Sequence, residues 1–160
     1  MRNSKKKDQI TFLIPAFLVY STGMLFCAWE LVRRQQDINI FSMNSIVGIS
    51  MVIIGLTINL VAAFTLRRSY SSTLEIREDH RLVTHGIFRF IRHPIYLGSI
   101  IVSFGVPVFV WTLYGFLILA GLVPLVLHRI KLEEKMLIEE YGDTYRKYME
   151  STGKLLPFVY

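Results

Sequence analysis

The chain has 160 residues, enough for one domain or for one domain with a small appendage. Hydrophobic residues make up 52% of it and charged residues only 19%, against roughly 25% charge in soluble domains, and the mean hydropathy is +0.44. This composition excludes a disordered tail, and together with a net charge of +6 it favours a membrane protein over a nucleic-acid-binding one. The single cysteine, Cys27, excludes a disulfide framework and a cysteine-based zinc site.

The first two apolar blocks are each suited to one membrane span. Residues 10–32 carry one charged side chain, Glu30, and residues 43–66 carry none. A helix requires about 20 apolar residues to cross the hydrocarbon core of a bilayer. We therefore expect one transmembrane helix in each block.

The third apolar block, residues 95–127, is uncharged and too long for one span. Because proline cannot continue a helix packed behind it, Pro107 predicts a break. We expect a helical hairpin with a short helix near residues 95–104 and a longer one near residues 109–127. The predicted fold is thus an all-α, polytopic membrane protein with about four transmembrane segments, completed by a polar loop and a C-terminal helix.

The basic residues are distributed unevenly around these blocks. Of the 18 lysines and arginines, four precede the first block, two follow it, six lie between the second and third blocks, and six follow the third. With four spans, 16 of the 18 fall on one side of the membrane. Because basic flanks remain cytoplasmic, this predicts that the N-terminus, the central polar segment and the tail are cytoplasmic.

Polar and aromatic residues crowd the segment from His80 to Gly98, which leads into the hairpin. Pro94 is suited to the first position of a helix, which would place His93 at the cap. The N-terminus of that helix would present N–H groups and a positive dipole end to a carboxylate or a phosphate. A basic loop that binds lipid headgroups explains the same residues. The sequence supports the ligand site and the lipid-binding loop equally.

A second group of charges follows the third block. Arg129 and Glu133 are four residues apart, so on a helix they share a face. They are either a surface ion pair of little energetic weight or functional charges held at the membrane boundary. In the tail, we expect Tyr141, Tyr145 and Tyr148 to pack at the interface rather than to form a lid. No carboxylate is spaced with the histidines as a metal ligand, so we expect no metal site.

Five blocks in chain order resemble the isoprenylcysteine carboxyl methyltransferase family, over roughly residues 67–160. Phospholipid N-methyltransferases and sterol C14-reductases form a wider group with this family. The matching blocks are His80-x-Leu82-Val83-Thr84-x-Gly86, Arg92-His93-Pro94-x-Tyr96-x-Gly98, Arg129-x-x-x-Glu133-Glu134, Tyr141-Gly142-x-x-Tyr145-x-x-Tyr148 and Leu156-Pro157-Phe158.

The resemblance implies S-adenosylmethionine as methyl donor, bound in a cytosolic pocket beside the membrane. Arg129 matches the residue that the family assigns to the substrate carboxylate, and with Glu133 it forms the implied catalytic pair. The family usually has tyrosine where this chain has Phe88, so stacking is kept and a hydroxyl hydrogen bond to the donor is lost. The implied donor-binding residues are His80, Arg81, Leu82, Val83, Phe88, His93, Pro94, Ile95, Tyr96 and Glu133.

The chemistry of the two substrates agrees with such a site. A polar donor must arrive from the cytosol and a prenylated acceptor through lipid, so the two can meet at the cytoplasmic mouth of the hairpin. The sulfonium charge of the donor suits Glu133 and aromatic faces such as Tyr96. We expect methylation of the carboxylate of a lipid-borne acceptor such as a prenylated cysteine.

Other functions remain open at this point. A phospholipid N-methyltransferase would use Glu133 or Glu134 as a base for an amine acceptor. A thiol acceptor, an NADPH-dependent sterol-type reductase and a scaffold without activity are further alternatives. The extent of the resemblance predicts two regions: a two-span membrane region at residues 1–66 and a catalytic region at residues 67–160. We expect the protein in a prokaryotic inner membrane, or in the endoplasmic reticulum membrane of a eukaryote. We expect membrane lipids as partners and no nucleic acid. The sequence does not determine the oligomeric state.

Overall fold

The computed structural model describes residues 2–33, 39–69 and 82–157, with side chains from residue 12 onward and none at residues 67–69. These ranges are helical and contain no named strand, which confirms the all-α prediction; one isolated bridge joins Ile91 to Gly153. The elements are α1 (Arg2–Arg33), α2 (Met43–Ser69), a 3₁₀ turn (Gly86–Arg89), α3 (Pro94–Val110), α4 (Leu113–Ala120), α5 (Leu122–Tyr141) and α6 (Asp143–Ser151).

Three stretches of the described helices are long and apolar enough to cross a membrane: Phe12–Arg33, Met43–Leu66 and Leu113–Tyr141. The first two confirm the spans predicted for the first and second blocks. Helix α3 is a shorter apolar helix of 17 residues, which at 1.5 Å per residue reaches about 25 Å. The chain is therefore an integral membrane protein.

The outward surface of α1 and α2 is apolar, as a lipid-facing surface must be. Phe17 and Leu25 of α1 are 69% and 70% exposed, and Phe64 of α2 is 62% exposed. In water such a surface would be unfavourable, whereas hydrocarbon solvates it without penalty. A helix also satisfies its own backbone hydrogen bonds, which lipid cannot do.

The predicted break at Pro107 is wrong. Helix α3 continues through Pro107, which is fully buried, and the chain turns at Trp111, whose φ is 57°. The backbone N–H of Thr112 donates to the carbonyl of Pro107 over 3.0 Å, and the Thr112 hydroxyl accepts from the N–H of Gly115 at the start of α4. These two hydrogen bonds belong to the turn between α3 and α4, which lies after Pro107 and not at it.

The second arm of the hairpin also differs from its prediction. It consists of two helices, α4 and α5, separated at Gly121, and α5 continues to Tyr141. The sequence pattern placed the end at residue 127 because charged residues begin just after it. A helix can pass from lipid into water without ending, since only its side chains need to change.

The chain divides into two compact units. The first unit comprises Met1–Ile54 and Ile100–Arg129. In its core, Cys27 of α1 packs with Val110, Leu119 and Leu122, all of which are buried. This core explains Cys27 as a packing residue.

The second unit comprises Gly55–Ser99 and Ile130–Tyr160. It contains the end of α2, the loop with the 3₁₀ turn, the start of α3, the polar end of α5, and α6 with the tail. Most of the residues predicted to bind the donor belong to this unit. The proposed functional division at residue 66 stays a prediction.

Gly98 allows α2 and α3 to approach closely in the second unit. A Cβ at this position would lie 2.6 Å from the carbonyl oxygen of Gly55 and would also clash with the side-chain oxygen of Asn59. Small residues at such crossings are typical of membrane helices. The contact explains why this position holds a glycine.

We predict that Gly98→Ala lowers the free energy of unfolding by about 1–3 kcal/mol, because the added methyl group meets backbone that cannot move aside. The melting temperature of the protein in detergent, followed by tryptophan fluorescence, measures the effect. Ala63→Val is the control, since Ala63 is exposed on α2. Equal melting temperatures for Gly98→Ala and the wild-type protein would contradict the prediction.

Candidate active site

The loop before α3 is shaped by a glycine and a proline. Gly86 opens the 3₁₀ turn with a φ of 62°, a conformation that L side chains rarely adopt. The turn buries Phe88, which is 8% exposed. Helix α3 begins at Pro94, as predicted, and the carbonyl of His93 accepts the first helical hydrogen bond from the N–H of Leu97.

A buried carboxylate, Glu134 of α5, connects the loop to the tail. Its Oε1 accepts a hydrogen bond from Arg92 Nε over 3.0 Å, and its Oε2 lies 3.1 Å from Lys154 Nζ. The Arg92 and Glu134 side chains are 3% and 8% exposed. Since the charges are removed from water, they depend on each other for stabilisation.

The tail also pairs with the loop through backbone. The N–H of Arg92 donates to the carbonyl of Gly153 over 2.9 Å, and the N–H of His93 donates to the carbonyl of Lys154 over 3.2 Å. The Arg92 guanidinium donates to the carbonyls of Met149 and Thr152. The start of α3 is therefore held in place by residues about 60 positions later in the chain.

Glu133, the neighbour of Glu134, has a different environment. Its Oε2 accepts a hydrogen bond from the Tyr96 hydroxyl over 2.9 Å, and the side chain is half-buried. Among the described residues no cation forms an ion pair with Glu133. The two adjacent carboxylates are thus distinct among the described residues: Glu134 pairs with Arg92 and Lys154, whereas Glu133 accepts a hydrogen bond from a neutral hydroxyl.

Two buried tyrosines of α6 lie behind this site. The Tyr148 hydroxyl donates to the carbonyl of Phe88 over 2.5 Å, and burial raises the pKa of Tyr148 to about 12, so it remains protonated and able to donate. Tyr145 is 1% exposed, and its ring centroid lies 5.8 Å from that of Tyr148. Their burial confirms that these tyrosines pack.

The structure brings several of the predicted donor-binding residues together. His93 and Tyr96 have ring centroids 5.8 Å apart. The backbone carbonyl of Phe88 accepts the hydrogen bond from the Tyr148 hydroxyl. Leu82 and Val83 are half-buried in the loop, and Ile95 is 39% exposed at the start of α3. His80 and Arg81 lie outside the described residues. The role of each residue stays a prediction.

Arg129, the predicted substrate-binding residue, lies on α5 one turn before Glu133. Its guanidinium carbon is 5.8 Å from the ring centroid of Phe12, a cation–π contact within the first unit. A contact of this kind contributes about 0.5–1 kcal/mol at an exposed site. Arg129 thus has an aromatic partner in the first unit, and its role in binding the substrate stays a prediction.

Sequence reasoning missed two parts of the site. It identified Arg92 only as part of a motif and Glu134 as part of a motif and as an alternative base, although the two form the buried ion pair that connects the segments. It also assigned Tyr145 to packing alone, although the hydroxyl lies buried without a partner in the part of the chain that the structure describes. All three residues belong to the motif blocks, so the sequence marks them as notable. Which of them contact each other depends on the fold and cannot be read from the motifs. In the same described part, no three histidine, cysteine, aspartate or glutamate residues form a metal-binding group.

The family comparison decides what this site resembles. The model of the isoprenylcysteine carboxyl methyltransferase family matches residues 47–139, more than half of the chain. The chain belongs to this family. The match includes Arg92, His93, Tyr96, Glu133 and Glu134.

Named relatives agree with the family. Protein-S-isoprenylcysteine O-methyltransferase A of Arabidopsis thaliana is 36% identical over 115 residues, which cover 70% of this chain and 58% of the relative. Methanethiol S-methyltransferase 1 of Bradyrhizobium diazoefficiens is 37% identical over 79 residues, which cover 49% of this chain and 27% of the relative. The chain thus matches little more than half the length of the first relative and about a quarter of the second.

The fold is shared with a solved structure. The eukaryotic intramembrane Ras methyltransferase of this family superposes with a TM-score of 0.65 at 22% sequence identity, covering 96% of this chain and 53% of that protein. At this identity the likeness concerns the fold, a polytopic helical membrane protein.

We predict that Glu134→Ala lowers the free energy of unfolding by about 3–5 kcal/mol, because it leaves the buried Arg92 charge without its carboxylate. Glu133→Ala is a matched control in the next position. It removes a bond to a neutral hydroxyl, which contributes about 1 kcal/mol. Melting temperatures in detergent measure both changes, and equal losses would contradict the contrast between the two carboxylates.

Proposed function

We propose that this protein is an S-adenosylmethionine-dependent methyltransferase that methylates the carboxylate of a lipid-borne acceptor, such as a prenylated cysteine, at the boundary of membrane and cytosol. The observation that carries the proposal is the environment of Glu133. This carboxylate is half-buried, accepts a hydrogen bond from Tyr96, and has no basic partner among the described residues. In a methyltransferase family, the cation that such a carboxylate would bind is the sulfonium of the donor.

The electrostatics of the site support this assignment. A partly buried carboxylate interacts with a nearby cation several times more strongly than an exposed one, because the effective dielectric constant is lower. The aromatic ring of Tyr96 adds a face that attracts cations. Glu134 competes poorly for the donor, since Arg92 and Lys154 already occupy its two oxygens.

The reaction class requires little acid–base chemistry from the protein. The donor supplies a methyl group on a positively charged sulfur; the acceptor oxygen forms a bond to that carbon as the carbon–sulfur bond breaks, and the electron pair stays on sulfur. A carboxylate acceptor is already ionised at pH 7, so no proton needs to be removed. The protein contributes positioning and exclusion of water.

Within this proposal, Arg129 binds the acceptor carboxylate. Its guanidinium carries donors in a fork that matches a carboxylate, and it lies four residues before Glu133 on α5. A carboxylate acceptor and a sulfonium donor would then be bound from the same helix. The remaining predicted residues, from Leu82 to Tyr96, would form the donor pocket with His80 and Arg81.

The membrane placement is part of the same proposal. The distribution of basic residues supports a cytosolic N-terminus, loop before α3 and tail. The donor is polar and would enter there, while a prenylated acceptor would enter from the lipid. Residues 1–66 would anchor the protein, and residues 67–160 would carry the catalytic groups.

The relative named for methanethiol supports a second class of acceptor, a thiol. A thiol must lose its proton before attack, as must a phospholipid amine, so either would require a base. Glu133 is the better base of the two adjacent carboxylates because Glu134 is paired with cations. A carboxylate acceptor needs no such base, and Arg129 suits it.

The proposal is tested with the full chain purified in detergent. Calorimetric titration with S-adenosylmethionine and with NADPH comes first, and binding of NADPH alone would rule out the methyltransferase. Transfer of a labelled methyl group is then measured to a prenylcysteine, to phosphatidylethanolamine and to a small thiol. We expect the prenylcysteine to be labelled, as a methyl ester that base hydrolyses. Labelling of phosphatidylethanolamine alone or of the thiol alone would reassign the acceptor.

We predict that Arg129→Ala reduces methyl transfer at least 100-fold while the affinity for S-adenosylmethionine changes less than twofold, because Arg129 contacts the acceptor and not the donor. Turnover and donor calorimetry on the same preparation measure the two effects. Lys131→Ala is the control, since Lys131 is exposed on the same helix and should keep full activity. Parallel loss of donor binding and turnover in a folded Arg129→Ala protein would contradict the role.

A further inference from the structure

Two buried polar atoms in the second unit have no hydrogen-bond partner among the described residues. They are the hydroxyl of Tyr145 and Nε2 of His93. Tyr145 is 1% exposed and His93 is 6% exposed. Nε2 of His93 lies 3.4 Å from Glu134 Oε1, which is an ion-pair distance, although no hydrogen bond joins the two atoms.

Orphan polar atoms of this kind are uncommon because they are costly. A hydroxyl that leaves water without gaining a partner destabilises the folded protein, and native structures pair the great majority of such groups. The Tyr145 hydroxyl therefore needs a polar ligand or a buried water to complete it, whereas His93 Nε2 has Glu134 as a neighbour at 3.4 Å. Packing alone would be served better by phenylalanine at position 145.

The surroundings of Tyr145 relate it to the carboxylate site. Burial raises the pKa of Tyr145 far above its usual value, and the charge of Glu134 raises it further, with a smaller contribution from Glu133. The hydroxyl is therefore protonated at every physiological pH. It can donate one hydrogen bond and accept others.

We propose that Tyr145 is a donor-binding residue whose hydroxyl, together with Nε2 of His93, hydrogen-bonds the amino-acid end of S-adenosylmethionine. This inference rests on the proposed function and adds a residue and an orientation to it. The sequence-based set of donor-binding residues contains His93 but not Tyr145.

The charges near these two atoms favour the amino-acid end over the adenosine. Arg92, Lys154 and Glu134 form a cluster of both signs, and Glu133 adds a carboxylate with an open place for a cation. A zwitterion with a carboxylate and an ammonium group complements such a cluster, whereas adenine and ribose carry no charge. The N-terminus of α3 at Pro94 adds a further preference for the carboxylate.

Tyr145→Phe tests the proposal, because it removes one oxygen and keeps the ring. We expect the Kd for S-adenosylmethionine to rise about tenfold, the effect of losing one hydrogen bond to a charged group. We expect the melting temperature of the ligand-free protein to stay equal or to rise, since an unpaired buried hydroxyl is removed. Both are measured in detergent on the full chain by calorimetry and tryptophan fluorescence.

A second ligand locates the contact. 5′-Methylthioadenosine contains the adenosine and the sulfur but lacks the amino-acid end, so its affinity should be the same for the wild-type protein and for Tyr145→Phe. Equal weakening of both ligands would overturn the assignment to the amino-acid end. Unchanged affinity for S-adenosylmethionine would overturn the role of Tyr145 altogether and leave its hydroxyl to a buried water.

Two further variants separate binding from folding. Tyr148→Phe removes the bond to the Phe88 carbonyl and should lower the melting temperature, which distinguishes it from Tyr145→Phe. Tyr114→Phe, on an exposed side chain of α4, should change neither quantity. A wild-type protein that binds no S-adenosylmethionine would overturn the proposed function and this inference with it. Normal binding by both the wild-type protein and Tyr145→Phe would overturn the inference alone.

Discussion

The buried carboxylate of Glu134 is the interaction on which the second unit depends. It joins Arg92 at the end of the loop to Lys154 in the tail, so that one side chain of α5 fixes two other segments. The cost of removing three charges from water is offset only because they meet with good geometry and because Arg92 also reaches the carbonyls of Met149 and Thr152. Without this cluster, the loop before α3 would have few reasons to adopt one conformation.

The same cluster gives the neighbouring residue its properties. Arg92 and Lys154 pair with Glu134, and the contact of Glu133 in the described part of the chain is the neutral hydroxyl of Tyr96. Two identical side chains in adjacent positions therefore have different environments, one that stabilises the fold and one that suits the proposed binding of a cation. The fold separates them because consecutive residues of a helix point about 100° apart.

Stability and binding are in conflict at Tyr145. A phenylalanine there would pack as well and would not bury an unpaired oxygen, so the hydroxyl lowers the stability of the ligand-free protein. Binding sites commonly keep such groups because a ligand completes them. Nε2 of His93 is likewise buried without a hydrogen-bond partner among the described residues. His93 and Tyr145 both belong to the second unit.

The sequence by itself determined the membrane helices, since apolar runs of more than 20 residues with at most one charge have no other stable environment. It also located Pro94 and Gly86, whose backbone preferences are local, and the motif residues of the family. It was wrong about Pro107, because whether a proline ends a helix depends on the groups that surround it. Only the tertiary structure decided that, within the described ranges, Glu134 pairs with Arg92 and Lys154 while Glu133 does not, and that the Tyr145 hydroxyl is buried there without a hydrogen-bond partner. The contact of Glu134 with Arg92 joins residues 42 positions apart, and no local pattern of charges or tyrosines specifies which of them will meet.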